Sequence, residues 1–378
     1  MIEAASALVQ RAGAHGARQR TVLPHYLALI YGLAIAYASL QPFGPWIAPP
    51  AGTPFFLFAA TAPRFTRFDV LANALSYVPF GFFMALVPRV MRPWTRFALA
   101  VASGFGLSFA MESLQMLLPP RDASVVDLVS NSVGAALGGG LGVAFATSPA
   151  AKQAVSSARH RWFLAGKVGD LGLALLVLWL VVQVNPGIPL FASVFDPAIE
   201  LPALPGVNPA GMQADAAAAV VEGAHSALQL LGVGLFLALL LRQRRFVGAA
   251  MLLLIMTAVL VKLVAAALLL HPVVFERWLR PGAAMGVAFG TLLLMIAVWL
   301  PRPAQVAMAT VALLASLLAT LLAPELIFTR APLALFNWSY GHLLSFNGLT
   351  HTVLLVWPLA ACAFLFTLAG RPRWGDPN

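Results

Sequence analysis

Apolar runs of about 20 residues recur along the whole chain, and no other feature constrains the fold as much. A run of that length crosses about 30 Å of hydrocarbon as an α-helix. No water is available there to satisfy backbone N–H and C=O groups, so each run must satisfy its own by becoming helical. Composition agrees: 61% of the 378 residues are hydrophobic and 10% charged, with a mean hydropathy of +0.87, against about 25% charged in ordinary soluble domains. The sequence therefore predicts an all-α, polytopic membrane helical bundle. The formal net charge of +10 does not argue for nucleic acid as a partner. Its Lys and Arg residues sit in short segments between apolar runs, where they report topology. The single cysteine, Cys362, lies inside the last run and gives no disulfide or CxxC signal.

About ten transmembrane helices are expected, near 23–42, 69–88, 95–118, 124–146, 169–186, 217–241, 246–270, 281–300, 303–323 and 349–369. Residues 1–22 place Arg11, Arg18 and Arg20 ahead of the first run, as a signal peptide would. The length of that run and the lack of a small-residue cleavage site favour an uncleaved span. With the N terminus in the cytoplasm, inside segments hold sixteen of the 23 Lys and Arg and outside segments six, the other being Lys262 within a span. The positive-inside rule thus places both termini in the cytoplasm, with which ten spans agree in parity. The Pro- and Gly-rich outer segments 43–68 and 187–216 read as re-entrant or capping loops. The basic inner segment 147–168 suits contact with anionic lipid headgroups. It divides the chain into a four-helix domain, 1–168, and a C-terminal membrane domain of about six helices, 169–378.

The two parts share a faint likeness. Residues 73–89 align without gaps with 226–242, matching Ala74 with Ala227, Gly81 with Gly234, Phe83 with Phe236 and Arg89 with Arg242. The same register sets Asp69 opposite Glu222, and Gly134 resembles Gly282. A degenerate parallel repeat of four spans, with two added, is one reading, and chance similarity between apolar sequences is the other.

Polar residues interrupt the first four spans in an ordered way. Asp69 and Asn73 are spaced i, i+4, Glu112 and Gln115 i, i+3, and Asp127 and Asn131 i, i+4, so each carboxylate shares a helix face with an amide. A charged side chain in hydrocarbon costs about 2.5 to 3.5 kcal/mol even on lenient insertion scales. Three acids gathered with Arg121 at one membrane level therefore suggest a common outward-facing pocket. Gly134, Gly138 and Gly142 follow as a small-residue ridge for close helix packing, and Pro79 and Gly81 mark a kink. Plainer roles stand beside the functional ones. Asp69 and Asp127 sit where carboxylates cap helix N-termini. Glu112, near a helix C-terminus, could form a structural ion pair with Arg121. Arg121 itself is either an interfacial loop charge or an anion ligand.

The pattern Asp69xxxAsn73, Pro79xGly81, Glu112xxGln115, Arg121, Asp127xxxAsn131, Gly134 and Gly138 resembles the VanZ-like membrane family, over about residues 20–146 and including the segment from Ser39 to Phe43. The family takes its name from a protein associated with low-level teicoplanin resistance. The resemblance implies a cell-envelope role in the bacterial inner membrane, and it makes Asp69, Asn73, Glu112, Gln115, Arg121, Asp127 and Asn131 a shared ligand-binding site. It supplies no reaction.

The second part offers secondary candidates. Glu222 and His225 have the i, i+3 spacing of di-metal bundles, but the second such motif those sites need is missing, so neither a metal nor a cofactor is expected. Lys262, deep in a span, could pair with Glu222 or take part in ion coupling. Asn337, Trp338, Tyr340, His342, Asn347 and His351 read as an interfacial polar aromatic belt, with glycan stacking as the other reading. No GxSxG, HExxH, P-loop or dinucleotide fingerprint is present. Three functions follow: binding or transport of a lipid-linked or envelope-derived headgroup, an outer-face enzyme using carboxylate acid/base chemistry on such a lipid, and a structural partner of envelope assembly. Membrane lipids and a lipid-linked glycan are the partners these readings imply.

Overall fold

A computed structural model describes residues 21–59, 66–88, 90–185, 191, 214–269, 281–322 and 340–369. It contains eleven α-helices among them: α1 Leu23–Leu40, α2 Arg67–Leu86, α3 Pro93–Gln115, α4 Val125–Thr147, α5 Pro149–Trp162, α6 Gly166–Val182, α7 Ala214–Leu240, α8 Val247–Leu269, α9 Pro281–Ala297, α10 Arg302–Leu322 and α11 Tyr340–Ala369. Ten of them fall on the expected spans. Eight are long and apolar enough to cross a membrane, while α6 and α9 have 17 residues each. The protein is an all-α polytopic membrane bundle. The expectations that rest on Arg11, Arg18, Arg20, Arg64, Arg89, most of 187–216, Asn337 and Trp338 lie outside the described residues, as do the side chains of Tyr340 and His342.

The basic segment 147–168 is largely an ordered helix, α5, rather than an open linker. Ser148 caps its N-terminus by accepting from the Ala151 N–H at 3.2 Å, Pro149 occupies its first turn, and Arg159, His160 and Arg161 complement the negative end of its dipole. No α5 residue is buried, which suits a polar helix lying outside the apolar bundle.

In the first bundle, α4 is wedged against both α2 and α3. Gly134, Gly138 and Gly142 meet the backbone carbonyls of Ala74, Val78 and Phe82 in that order, so α2 and α4 run parallel at backbone contact. A Cβ on Gly134 or Gly138 would overlap a carbonyl that cannot move without unwinding α2. From the other side, Gly81 meets the Ala135 backbone and Gly104 on α3 receives the Ala135 methyl. This small-residue packing replaces the hydrophobic drive that is lost between helices already in lipid.

The second part builds its core on α7, which packs on α9 and α10 and is covered by α11 and α6. At its centre Phe236 meets Trp357 edge to face and Phe364 at a tilt, and the Trp357 indole N–H donates to the Leu175 carbonyl at 2.6 Å. The contact between α7 and α9 uses the same device as that between α2 and α4. Gly286 meets Gly223 and Gly290 meets Ala227, again with the helices parallel. These matched pairs support a parallel repeat as a proposal, with Ala74 and Ala227 at corresponding contacts. Gly134 then corresponds to Gly290, about two turns beyond the Gly282 that sequence similarity suggests.

Helix α1 joins the two parts, packing on α2 and α3 on one side and on α6 and α11 on the other. Asp170 on α6 is 1% exposed and accepts from the Thr21 hydroxyl at 2.8 Å, the Val22 N–H at 2.6 Å and the Arg159 guanidinium at 2.9 Å. One buried carboxylate thus ties α1, α5 and α6 together. At the other end, the Tyr37 hydroxyl lies 2.7 Å from the Thr352 hydroxyl of α11.

The glycine contacts make a direct prediction. Gly138→Ala should lower the detergent melting temperature by an amount corresponding to about 1–3 kcal/mol, the usual cost of overpacking. Gly140→Ala, where an added Cβ has nothing within 4 Å, should be neutral or stabilising, because Ala outranks Gly in helix interiors by up to about 1 kcal/mol. Equal melting of the two variants would contradict the backbone-contact geometry.

Candidate functional site

At the end of the first bundle where α3 turns into α4, α2, α3 and α4 each contribute one polar side chain to each of two levels. Asn73, Glu112 and Asp127 form the outer level, and Tyr77, Ser108 and Asn131 form the inner one, four residues along each helix. Four residues are about 6 Å of helix. The parallel glycine contact of α2 and α4 keeps the levels in register.

The outer level is partly bonded internally. The Asn73 amide donates to Asp127 Oδ1 at 2.7 Å, joining α2 to α4, and both residues are half-buried. Glu112 is 3% exposed, and its Oε2 accepts the backbone N–H of Ser124 at 2.8 Å. Ser124 is the N-cap of α4, its hydroxyl accepting from the Val126 N–H at 3.1 Å. Glu112 therefore sits at the C-terminus of its own helix, where the dipole disfavours an anion, but against the positive end of α4, which favours one. Asp127 and Arg121 are both near enough for their charges to act on it.

The inner level is less satisfied. The Asn131 amide donates to the Ser108 hydroxyl at 3.0 Å, but Asn131 Oδ1 is buried without a hydrogen-bond partner. Tyr77 is 3% exposed, and its hydroxyl lies near Ser108 but meets no partner at hydrogen-bonding geometry.

The other residues picked from sequence are placed differently. Asp69 closes a capping box at the start of α2, its Oδ2 accepting from the Thr66 N–H and hydroxyl, both at 2.8 Å. Gln115 and Arg121 both turn to the C-terminus of α1. The Gln115 amide donates to the Ser39 carbonyl at 2.9 Å, while the Arg121 guanidinium donates to the carbonyls of Gln41 at 2.9 Å and Ala38 at 2.8 Å and to the Ser345 hydroxyl of α11. Arg121 thereby closes the negative end of α1 and ties it to the second part. Burial lowers the pKa of its guanidinium, and the negative charge of Glu112 acts against that shift.

Residues 18–146 match the family model described as VanZ/LLP1. That segment is VanZ-like. Neither the curated proteins nor the solved structures provide a match. The VanZ-like segment takes in α1 to α3 and nearly all of α4, and both polar levels lie within it, whereas α5 to α11 lie beyond it.

In that remaining part, Lys262 is fully buried and donates to the Asn185 carbonyl at 3.0 Å, and the His225 ring lies 3.0 Å from the Ser316 hydroxyl. The Asn185 amide donates to Asn347 and Thr350, both at 2.8 Å. Glu222 is buried one turn before His225 on α7. Among the described residues no three of His, Cys, Asp and Glu gather as metal ligands do.

Tyr77, Ser108 and Asp170 were not picked out from sequence. Tyr77 and Ser108 each lie four residues from a chosen residue on the same helix face, which is the signal that could have found them. Asp170 carried no local signal, because its partners lie on α1 and α5.

The geometry of Glu112 makes its substitutions discriminating. Glu112→Gln keeps an oxygen that can accept from the Ser124 N–H and should preserve detergent melting. Glu112→Leu removes the acceptor and should cost about 1–3 kcal/mol. If both variants melt alike, the link between Glu112 and the α4 cap does not support the fold.

Proposed function

We propose that the two polar levels form an outward-facing site that binds the polar headgroup of a lipid-linked or envelope-derived molecule, for capture or transport in the cell envelope. The observation that carries this reading is the inner level: the Tyr77 hydroxyl and Asn131 Oδ1 are buried without hydrogen-bond partners, on helices long and apolar enough to cross a membrane. Each such group costs about 1–3 kcal/mol, a cost that a polar ligand reaching between the helices would offset. The outer level supplies two carboxylates at the mouth, acceptors suited to hydroxyl or amine donors. With Arg121 engaged on α1, its part in this reading is to position the α3–α4 turn. A phosphate on the ligand would meet repulsion from Glu112 and Asp127 unless a proton or cation came with it. A link to glycopeptide tolerance would follow if the captured headgroup belonged to a cell-wall precursor.

One further reading has specific support. Direct bonds from Asn73 to Asp127, Asn131 to Ser108 and Glu112 to the Ser124 N–H would also lock three helices together, as a structural partner of envelope assembly would need.

Tyr77→Phe separates the two. It deletes only a hydroxyl that makes no hydrogen bond, so melting should be unchanged or slightly higher. Occupancy by a co-purifying lipid, followed by native mass spectrometry of the full chain, should fall about fivefold, the equivalent of about 1 kcal/mol for one hydrogen bond. Asp127→Asn should lower occupancy further. The same lipid retained equally by folded Tyr77→Phe and Asp127→Asn would leave the cluster as a helix lock.

A further inference from the structure

The opposite end of the bundle carries a second polar feature, unrelated to the levels above. A cleft of about 170 Å³ opens there, with Leu164, Ala165, Arg242, Arg244, Arg302 and Gln305 among its lining residues and, among the described residues, no acidic side chain in the lining. Its walls are fixed by backbone contacts. The Leu164 N–H donates to the Leu240 carbonyl and the Arg242 N–H to the Trp162 carbonyl, each at 2.9 Å, so the α5–α6 junction is pinned to the end of α7. The facing wall is the turn between α9 and α10. Gln305 holds it by donating to the carbonyls of Val298 at 2.8 Å and Leu300 at 3.0 Å, and Arg244 by donating to Trp299 and Leu300 at 3.3 Å.

An Arg carries five donors. Among the described residues, Arg242 spends one side-chain donor, on the His160 carbonyl at 2.8 Å, and Arg244 spends two. Arg242 and Arg244 therefore keep guanidinium donors beyond these bonds, and the positive charge gathered at the cleft favours an anion. Arg302 opens the 21-residue helix α10, whose positive end adds to the same field. The volume falls below the roughly 300–1,000 Å³ of sites for drug-sized ligands, which suits a phosphate group rather than a glycan.

The surroundings place the cleft at headgroup depth. Trp162 stacks on Phe246 with ring centroids 5.4 Å apart and planes 6° apart, and the guanidinium carbons of Arg161 and Arg245 lie 5.7 and 4.9 Å from the Phe246 ring centre. Trp299, whose carbonyl Arg244 holds, is 75% exposed. Tryptophan concentrates at membrane–water interfaces, and this is the face to which the Lys and Arg distribution assigns the cytoplasm.

We propose that this cleft binds a phosphate group, supplied by an anionic phospholipid headgroup of the adjoining leaflet. Basic pockets between helices at the cytoplasmic interface favour such headgroups, and guanidiniums recognise phosphate oxygens bidentately.

The test uses the full chain in detergent, offered phosphatidylglycerol or phosphatidylcholine and read by native mass spectrometry, with a parallel calorimetric titration of inorganic phosphate. The expected result is at least a tenfold preference for phosphatidylglycerol, lost in Arg242→Gln/Arg302→Gln, with inorganic phosphate binding far more weakly. Arg244 is left in place because it holds the α9–α10 turn. Arg242→Lys/Arg302→Lys, which keeps the charge but loses the fork, should retain an intermediate preference and serves if the Gln pair does not fold. Tyr77→Phe should leave the preference intact, which separates this cleft from the outward site. Tight binding of inorganic phosphate without lipid preference, abolished in the Gln pair, would keep the phosphate chemistry and overturn the lipid source. An undiminished lipid preference in a folded Gln pair, or the lack of both lipid preference and phosphate binding in the unaltered chain, would overturn the proposal.

Discussion

A membrane helix satisfies its own backbone except at its ends, where four N–H groups and four carbonyls are left over, and much of this architecture is built from side chains that one helix sends to the end of another. Asp170 on α6 receives the N-terminus of α1. Gln115 and Arg121 close its C-terminus from the α3–α4 turn. Glu112 completes the start of α4, and Arg244 and Gln305 finish α9. Near hydrocarbon an unpaired backbone group costs several kcal/mol. These few polar residues therefore fix which helix ends meet, and apolar packing fills in around them.

The second constraint is distance. Helices already surrounded by lipid gain little from apolar contact alone, so close backbone approach through glycine takes its place. Where α4 lies against α2, Gly134 and Gly138 bring Asp127 and Asn131 level with Asn73 and Tyr77. The candidate site is a by-product of that approach, since side chains of ordinary size between the helices would separate the acids from the amides. The same device recurs between α7 and α9 at Gly286 and Gly290.

The polar residues of the first bundle were visible in the sequence because charge and amide groups stand out against apolar runs, and helical spacing put Asp69 with Asn73 and Asp127 with Asn131, whereas the structure bonds Asn73 across to Asp127. Their partners were not legible. Arg121 looked like the natural ligand for an anion, yet the structure gives its donors to the Ala38 and Gln41 carbonyls and to Ser345. Backbone carbonyls have no sequence signature, so a side chain that serves them cannot be told from one that serves a ligand. Asp69 shows the opposite case: Thr66 three residues earlier is a capping-box signal within one turn. Tyr77 was passed over because a tyrosine in an apolar helix reads as packing until its hydroxyl is seen buried without a partner.

Sequence alone determined the helical membrane class and the positions of most spans, because both depend on local hydropathy and on the cost of moving charge through hydrocarbon. Tertiary structure decided what the polar residues do. Whether Glu112 meets Arg121 or the start of α4, and whether Arg242, Arg244 and Arg302 surround one cleft or face three directions, depends on contacts between helices far apart in the chain. Hydropathy is a property of each segment by itself, whereas hydrogen-bond partners are set only when the segments pack.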